Sequence, residues 1–362
     1  MSKIQEFDPN FMKDNKSSLF ISAGGFEPRV KGIIDDLKGI NEKLIKYCNI
    51  LEYQSSVLLK QNAKSKEFLK KNEENLESLK ESLKRLSIDM LPNTLIDIDN
   101  ILEATNNLKR TFNDIPKKEI DTVFIDISGM ANFLILLVLH QVKNVFYDKK
   151  IQVLYTEAEW YYPKIEESDK ILELAKKRDE ESIFKLSELL GASGARETII
   201  LPDFSGSFRE DLPICLIFFV GYEPSRAIGL LEAYRPNLVI ACYGESPHSH
   251  FKWRKEFSKK LHKEFGVFNE YPHIEMEIST FEVSEILSSL EKIYTSQGEK
   301  NKILYESYNI AISPQCSKLQ TVASYLFCQS HPDVQIVFCL PGFFNPERYS
   351  EGIGKRSRYE LQ

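Results

Sequence analysis

One phrase occurs twice in this chain and limits its fold more than anything else in it. Gly25-Phe26-Glu27-Pro28-Arg29-Val30-Lys31-Gly32-Ile33-Ile34 returns as Gly221-Tyr222-Glu223-Pro224-Ser225-Arg226-Ala227-Ile228-Gly229-Leu230-Leu231, with Ser225 inserted. Each copy follows an apolar run, Leu19-Phe20-Ile21 or Leu216-Ile217-Phe218-Phe219, and each leads into a helix-like pattern. Both therefore read as a strand, a tight glycine turn and a helix opened by proline. Proline suits a first helical turn because its missing N–H has no intrahelical acceptor there. The glycine before it lets the backbone turn sharply and come close to a ligand.

The chain around each copy repeats as well. In the first half, strands are expected at 19–22, 49–54, 94–99, 122–127 and 151–156, with helices to about 38, at 101–112 and at 130–145. Leu69, Leu76, Leu79, Leu83 and Leu86, spaced by three, four and seven, predict one long amphipathic helix over 58–88. In the second half, strands are expected at 216–220, 237–243, 273–278, 308–313 and 334–340. Helices are expected between them at 224–234, 251–265, 283–294 and 319–329. Ile151-Gln152-Val153-Leu154-Tyr155 aligns without a gap on Val334-Gln335-Ile336-Val337-Phe338, and Trp160-Tyr161-Tyr162-Pro163 on Phe343-Phe344-Asn345-Pro346. Motifs matching in the same order at the first, fourth and fifth strands indicate an internal duplication.

The fold class expected is α/β: two tandem Rossmann-like units, each a five-stranded, mostly parallel sheet covered by helices on both faces. Right-handed crossovers give the strand order 3-2-1-4-5. Residues 1–17 are expected to be a disordered leader, 18–163 the first unit, 164–212 a helical linker, 213–349 the second unit and 350–362 a polar tail. Within the linker, one charged helix is expected over 170–190.

At 362 residues the chain is long enough for two such cores, and its 42% hydrophobic and 28% charged residues are ordinary for a globular protein. A net charge of -6 argues against nonspecific nucleic-acid binding, though a local basic cleft is compatible with it. The six cysteines form no CxxC pair and several lie in apolar runs, as buried thiols do. Residues 1–18 do not resemble a signal peptide, and the longest apolar run, 133–139, is far shorter than the roughly 20 residues of a membrane span. A cytoplasmic protein is expected.

In such a sheet, ligands bind outside the carboxyl ends of the strands where the winding reverses, between the first and fourth strands. The loops meeting there are 22–29 and 126–132 in the first unit, and 221–226 and 313–318 in the second. Candidate ligand-binding residues are Ser22, Gly24, Gly25, Glu27, Arg29, Ser128 and Gly129, with Gly221, Glu223, Arg226, Ser313 and Lys318. A glycine turn feeding a helix offers backbone N–H groups to an anion, and an arginine can grip a phosphate bidentately. Against this stands a structural reading, in which Glu27 pairs with Arg29, and Glu223 with Arg226, to fix the turn. Ser128 and Ser313 take matching positions after the fourth strand and either contact ligand or cap the next helix.

Three carboxylates distinguish the halves. Asp126, Glu157 and Glu159 fall at strand ends of the first unit, while Ala311, Leu340 and Gly342 match them in the second. They are the candidate acid–base residues should the protein be an enzyme; solvated rim carboxylates are the other reading. Trp160, Tyr161 and Tyr162 either stack on a base or pack internally. Glu245, His248 and His250 lack a further ligand at metal-site spacing, so no metal is assigned. Lys355-Arg356-Ser357-Arg358 reads as a partner contact or a solvated tail. No Walker loop, nucleophile elbow or complete Gly-x-Gly-x-x-Gly is present, and no cofactor is identified.

A Rossmann-like unit with ligand loops after its first and fourth strands resembles the CRISPR-associated Rossmann-fold sensors of prokaryotic defence. Ile127-Ser128-Gly129 and 313–318 are loosely similar to that family's Ser/Thr-Gly loop with its following lysine. The resemblance implies a nucleotide held by paired loops, here supplied by one chain, and a role as sensor or regulatory subunit in antiviral defence. No nuclease domain is apparent, which favours a binder or a subunit working with a protein partner. Two other functions fit the residues: a hydrolase of phosphodiester or N-glycosidic bonds using the first-unit carboxylates, and a purely structural partner.

Overall fold

The computed structural model describes residues 3–15, 17–40, 43–54, 63–177, 179–298 and 302–361. The chain divides into two compact units, the first made of Met1–Tyr161 with Ser350–Gln362 and the second of Tyr162–Tyr349. Unit 1 opens with β1 (Gln5–Glu6), β2 (Ser18–Ala23), β3 (Ile45–Gln54), β4 (Ser87–Met90), β5 (Thr94–Asp97), β6 (Thr122–Asp126), β7 (Lys150–Thr156) and β8 (Trp160–Tyr161). Unit 2 holds β9 (Ala192–Ile200), β10 (Ile214–Val220), β11 (Leu238–Glu245), β12 (His273–Ser279), β13 (Asn309–Pro314) and β14 (Gln335–Phe344). The chain then returns to unit 1 as β15 (Ser350–Glu351) and β16 (Arg356–Leu361).

Both sheets have the expected order. In unit 1, β4, β3, β2, β6 and β7 lie side by side and parallel, with β5 also paired to β3. The third position is thus split: β4 flanks the first part of β3 and β5 its end. In unit 2 the order is β12-β11-β10-β13-β14, all parallel. Every residue of β2 and β6 is buried, and so is β10 beyond its first residue. Such continuous apolar strands require cover on both faces, which the crossover helices provide. In unit 1, Ile33 and Ile34 pack with Leu76, Leu79 and Leu83 over Phe20, Ile50, Phe124 and Leu154. In unit 2, Leu230 and Leu231 take the equivalent place over Leu216, Phe218, Val239 and Ala241.

Each sheet gains an antiparallel strand outside its fifth. In unit 1 it is β16, paired along β7 and itself flanked by β1; in unit 2 it is β9, paired along β14. The polar tail is therefore a strand, whose alternating pattern buries Ser357, Tyr359 and Leu361. Nor are residues 1–17 a disordered leader among those described, since β1 joins the sheet, a helical turn spans Asn10–Lys13, and Phe7 and Met12 are buried. The linker is likewise part of unit 2. Its expected single helix is two, Ser168–Lys177 and Glu180–Leu190, the second capped by Asp179 accepting from the Ser182 N–H. Ile171, Ala175, Leu186 and Leu190 of this pair pack on Phe257 and Leu261.

The long helix is Ala63–Leu86, followed directly by β4; positions 58–62 of the expected span lie outside the described residues, as does the side chain of Leu69. The helix after the first glycine turn is short, a 3-10 turn over Pro28–Lys31 and an α-helix over Gly32–Asp36. No helix among the described residues is long and apolar enough to cross a membrane.

Candidate functional site

The first glycine turn leaves β2 and meets the loop after β6 backbone to backbone. A Cβ on Gly129 would stand 2.5 Å from the Ala23 carbonyl oxygen, and one on Gly25 would stand 3.6 Å from the Gly129 oxygen. Two side chains close what remains. Tyr53 Oη accepts from the Ala131 N–H at 2.7 Å and donates to the Gly129 carbonyl at 3.2 Å. Asn75, on the long helix, donates to the carbonyls of Gly25 at 3.1 Å and Phe26 at 3.2 Å. Ser22, Gly24 and Gly25 are buried, and Gly24 has Leu76 directly against it.

Glu27 and Arg29 do pair. A guanidinium nitrogen of Arg29 lies 2.8 Å from one Glu27 oxygen and 2.9 Å from the other, with both side chains buried. The second terminal nitrogen donates to Tyr155 Oη and Tyr161 Oη, each at 3.2 Å, and those hydroxyls are 3.0 Å apart. Ser350 Oγ donates to Glu27 at 2.6 Å. Burial works against the charge on Arg29, but Glu27 with the two tyrosines outweighs it, so the guanidinium pKa lies above its ordinary value. Burial chiefly, with Tyr161 adding to it, raises Tyr155.

Asp126 is buried at the end of β6 and accepts from both the N–H and the hydroxyl of Ser128, at 3.0 and 2.5 Å. Ser128 Oγ in turn accepts from the Thr156 N–H at 2.8 Å, tying the ends of β6 and β7. Ser128 thus does not cap the next helix, whose N-cap is Ala131, and its side chain is fully buried. Of the other two carboxylates, Glu157 is nearly buried and Glu159 is exposed, the latter lying against Gly352. Among the described residues no three His, Cys, Asp or Glu side chains come together as a metal site.

The registers correct two linked correspondences, that of Ser128 with Ser313 and that of Asp126 with Ala311. Ser22 is paired with Asp126 across β2 and β6, and Phe218 with Ser313 across β10 and β13. Aligned on the two glycine turns, Ser22 matches Phe218, so Ser313 is the counterpart of Asp126, not of Ser128. Gln315 stands where Ser128 does and repeats its bond, donating to Ser313 Oγ at 2.9 Å. Strand ends in unlike sequences carry no mark of register, whereas paired backbones do.

The second turn is looser. Arg226 lies 3.7 Å from Glu223, and its Nε donates to the Cys339 carbonyl at 2.6 Å. The inserted Ser225 changes the pair from two residues apart to three, and Phe338 in place of Tyr155 brings no hydroxyl. Burial raises the Glu223 carboxyl above its usual range, and Arg226 offsets this only in part. Gly221, Tyr222, Glu223, Ser225 and Arg226 are partly buried, the Arg226 and Glu223 side chains being 17% and 15% exposed, and no side chain caps the helix Pro224–Tyr234. From below, Ser258 Oγ holds the Gly221 carbonyl at 2.8 Å. Tyr222 stacks on Arg254, whose guanidinium also holds the carbonyls of Tyr162 and Pro163. The loop after β13 approaches this turn, a Cβ on Gly221 standing 3.4 Å from the Gln315 oxygen, and Lys318 then opens the helix Lys318–Ser330, capped by Ser317 with Gln320 in reciprocal bonds.

His248 and His250 stack 5.8 Å apart beside Phe251 and Phe281. Arg356 and Arg358 of the basic run bind Asp36 and cover the Phe11 ring. Tyr161 is an internal partner, while Trp160 remains 45% exposed. Tyr53, Asn75, Tyr155 and Ser350 join the site with no signal in the sequence. Each comes from an element remote from the loop it contacts, and no local pattern marks it.

No family model and no curated protein matches the chain. Among solved structures it is similar to a universal stress protein from Archaeoglobus fulgidus DSM 4304, at 12% identity over 90% of this chain and 97% of that one, with a TM-score of 0.24. It is also similar to AtPrR2 in apo form, at 11% identity over 76% and 84% of the two chains, with a TM-score of 0.22. The class that the sheets themselves define is a duplicated Rossmann-like α/β protein.

Proposed function

We propose that the chain is a ligand-binding regulatory protein in which the unit 2 crevice takes the phosphate of a nucleotide or a similar anion. The observation that carries this is the contrast between two copies of one turn. Arg29 is enclosed by a carboxylate and two tyrosine hydroxyls, whereas Arg226, in the first turn of the helix Pro224–Tyr234, sits 3.7 Å from its glutamate with its side chain 17% exposed. Gly221, Glu223, Arg226, Ser313 and Lys318 would line the site, the uncapped helix supplying N–H donors and Arg226 the charge. In unit 1, Ser22, Gly24, Gly25, Glu27, Arg29, Ser128 and Gly129 then have a structural role in the resting state. No catalytic step is assigned to Asp126, Glu157 or Glu159. A sensor or subunit of an antiviral system is the setting that the resemblance to CRISPR-associated Rossmann-fold proteins implies.

Calorimetric titration with a panel of mono-, di- and cyclic nucleotides tests this. One site per chain is expected, weakened at least tenfold by Arg226→Ala and by Lys318→Ala. Affinity unchanged in both variants would overturn it. A purely structural role is the second reading, favoured by the complete burial of Ser313; two surface clefts of unit 2 lie elsewhere. One, of about 690 Å3, is lined by Glu232, Arg235, Asn237 and Tyr271, and the other, of about 230 Å3, by Phe204, Cys328 and Pro332. Absence of heat across the whole panel would select that reading.

A further inference from the structure

The Arg29 cluster is built like a receptor for an oxyanion. A buried guanidinium, two phenol hydroxyls and the Ser350 hydroxyl converge within 3.2 Å of one carboxylate or of the arginine holding it. Three polar atoms around this end of the sheet are buried without a hydrogen-bond partner: Arg29 Nε, Ser22 Oγ and Thr156 Oγ1. Buried donors are ordinarily satisfied, because leaving one unmade forfeits its hydration. The unmet Arg29 Nε of an otherwise formed anion clamp suggests a seat occupied by a partial substitute.

The segment 350–355 fastens that substitute. β15 pairs with β8, Tyr161 opposite Ser350 and Trp160 opposite Glu351. The Glu157 N–H donates to the Lys355 carbonyl at 2.9 Å, and the Gly354 N–H to the Glu157 carbonyl at 2.8 Å. Glycine is required at two points of this strap: a Cβ on Gly352 would meet Glu159, and one on Gly354 would stand 2.9 Å from the Ala158 oxygen.

We propose that Glu27 is a resident stand-in for an anionic ligand, locked over Arg29 by the strap 350–355, so that unit 1 is a second, self-inhibited oxyanion site. The ligand class is a small phosphate or phosphate monoester, whose oxygens match the fork and hydroxyls now around Glu27. Opening requires that the Ser350 bond, the short β8–β15 ribbon and the two backbone bonds between Glu157 and 354–355 release. This inference does not depend on the unit 2 reading.

The test uses the full chain carrying Arg226→Ala, which removes the unit 2 arginine, and inorganic phosphate against chloride of equal ionic strength. Adding Glu27→Ala is expected to make thermal stability phosphate-dependent, with at least a tenfold gain in apparent phosphate affinity over the Arg226→Ala parent. A further Arg29→Ala should abolish the gain. A folded Glu27→Ala variant with no phosphate-dependent shift would overturn the proposal. Should that variant not fold even in phosphate, Ser350→Ala decides by hydrogen exchange. At least tenfold faster exchange of the Glu157 and Gly354 amides, with β6 unchanged, supports a releasable strap, and unchanged exchange refutes it.

Discussion

Arg29 and Arg226 descend from the same turn yet should respond differently to truncation. Arg29→Ala leaves a buried Glu27 carboxylate without its partner, which typically costs about 3–5 kcal/mol. Arg226→Ala breaks a 3.7 Å contact and one bond to a carbonyl, with an expected loss of about 1–2 kcal/mol. Urea denaturation of the two variants checks the order. His262 offers a second test. Its ring is 1% exposed, with Nδ1 on the Ser258 carbonyl and Nε2 without a partner, and burial pulls its pKa from 6.5 to about 4. The unfolded chain therefore binds the proton at higher pH than the folded one. Its contribution to stability is complete above pH 6.5 and is lost as pH falls toward 4, by about 3 kcal/mol from the size of the shift. Denaturation between pH 7 and 4.5 should show this slope, and His262→Gln should flatten it.

Among the elements, those bounded by strong local signals were the legible ones. The apolar runs of β2, β6 and β10, the leucine spacing of the long helix, and proline at the start of Pro224–Tyr234 all name their structure directly. Short elements were not legible. β1, β4 and β16 are polar by composition and exist because an adjacent strand offers unpaired backbone groups. The same dependence on distant partners governs Gly32, whose helix packs on β7 so closely that a Cβ would overlap the Thr156 methyl. Gly32→Ala is expected to destabilise unit 1 by about 1–3 kcal/mol. Thr156→Ala, which leaves only a Cβ 3.0 Å away, should recover part of that loss in a double-mutant cycle. Leu79→Ala, at a fully buried position of the long helix, should cost about 2–5 kcal/mol.

At the scale of the molecule, the chain runs through unit 1, builds all of unit 2 and comes back to finish the first sheet. Residues 162–349 contain every strand of their sheet, so that fragment expressed alone should unfold in one cooperative urea transition. A chain ending at 349 should instead keep the unit 2 transition and lose that of unit 1, since β7 then has no outer neighbour. A single unaltered transition profile in the shortened chain would contradict this division. The duplication, the α/β class and the strand order were all determined by the sequence alone, because apolar periodicity, glycine–proline turns and crossover handedness act over short stretches of chain. Which strand ends face each other, whether Ser128 matches Ser313, and whether Arg29 is open or enclosed were decided only by tertiary structure. Those outcomes depend on register and on side chains such as Tyr53, Asn75 and Ser350, delivered from remote segments whose local sequence does not encode the contact.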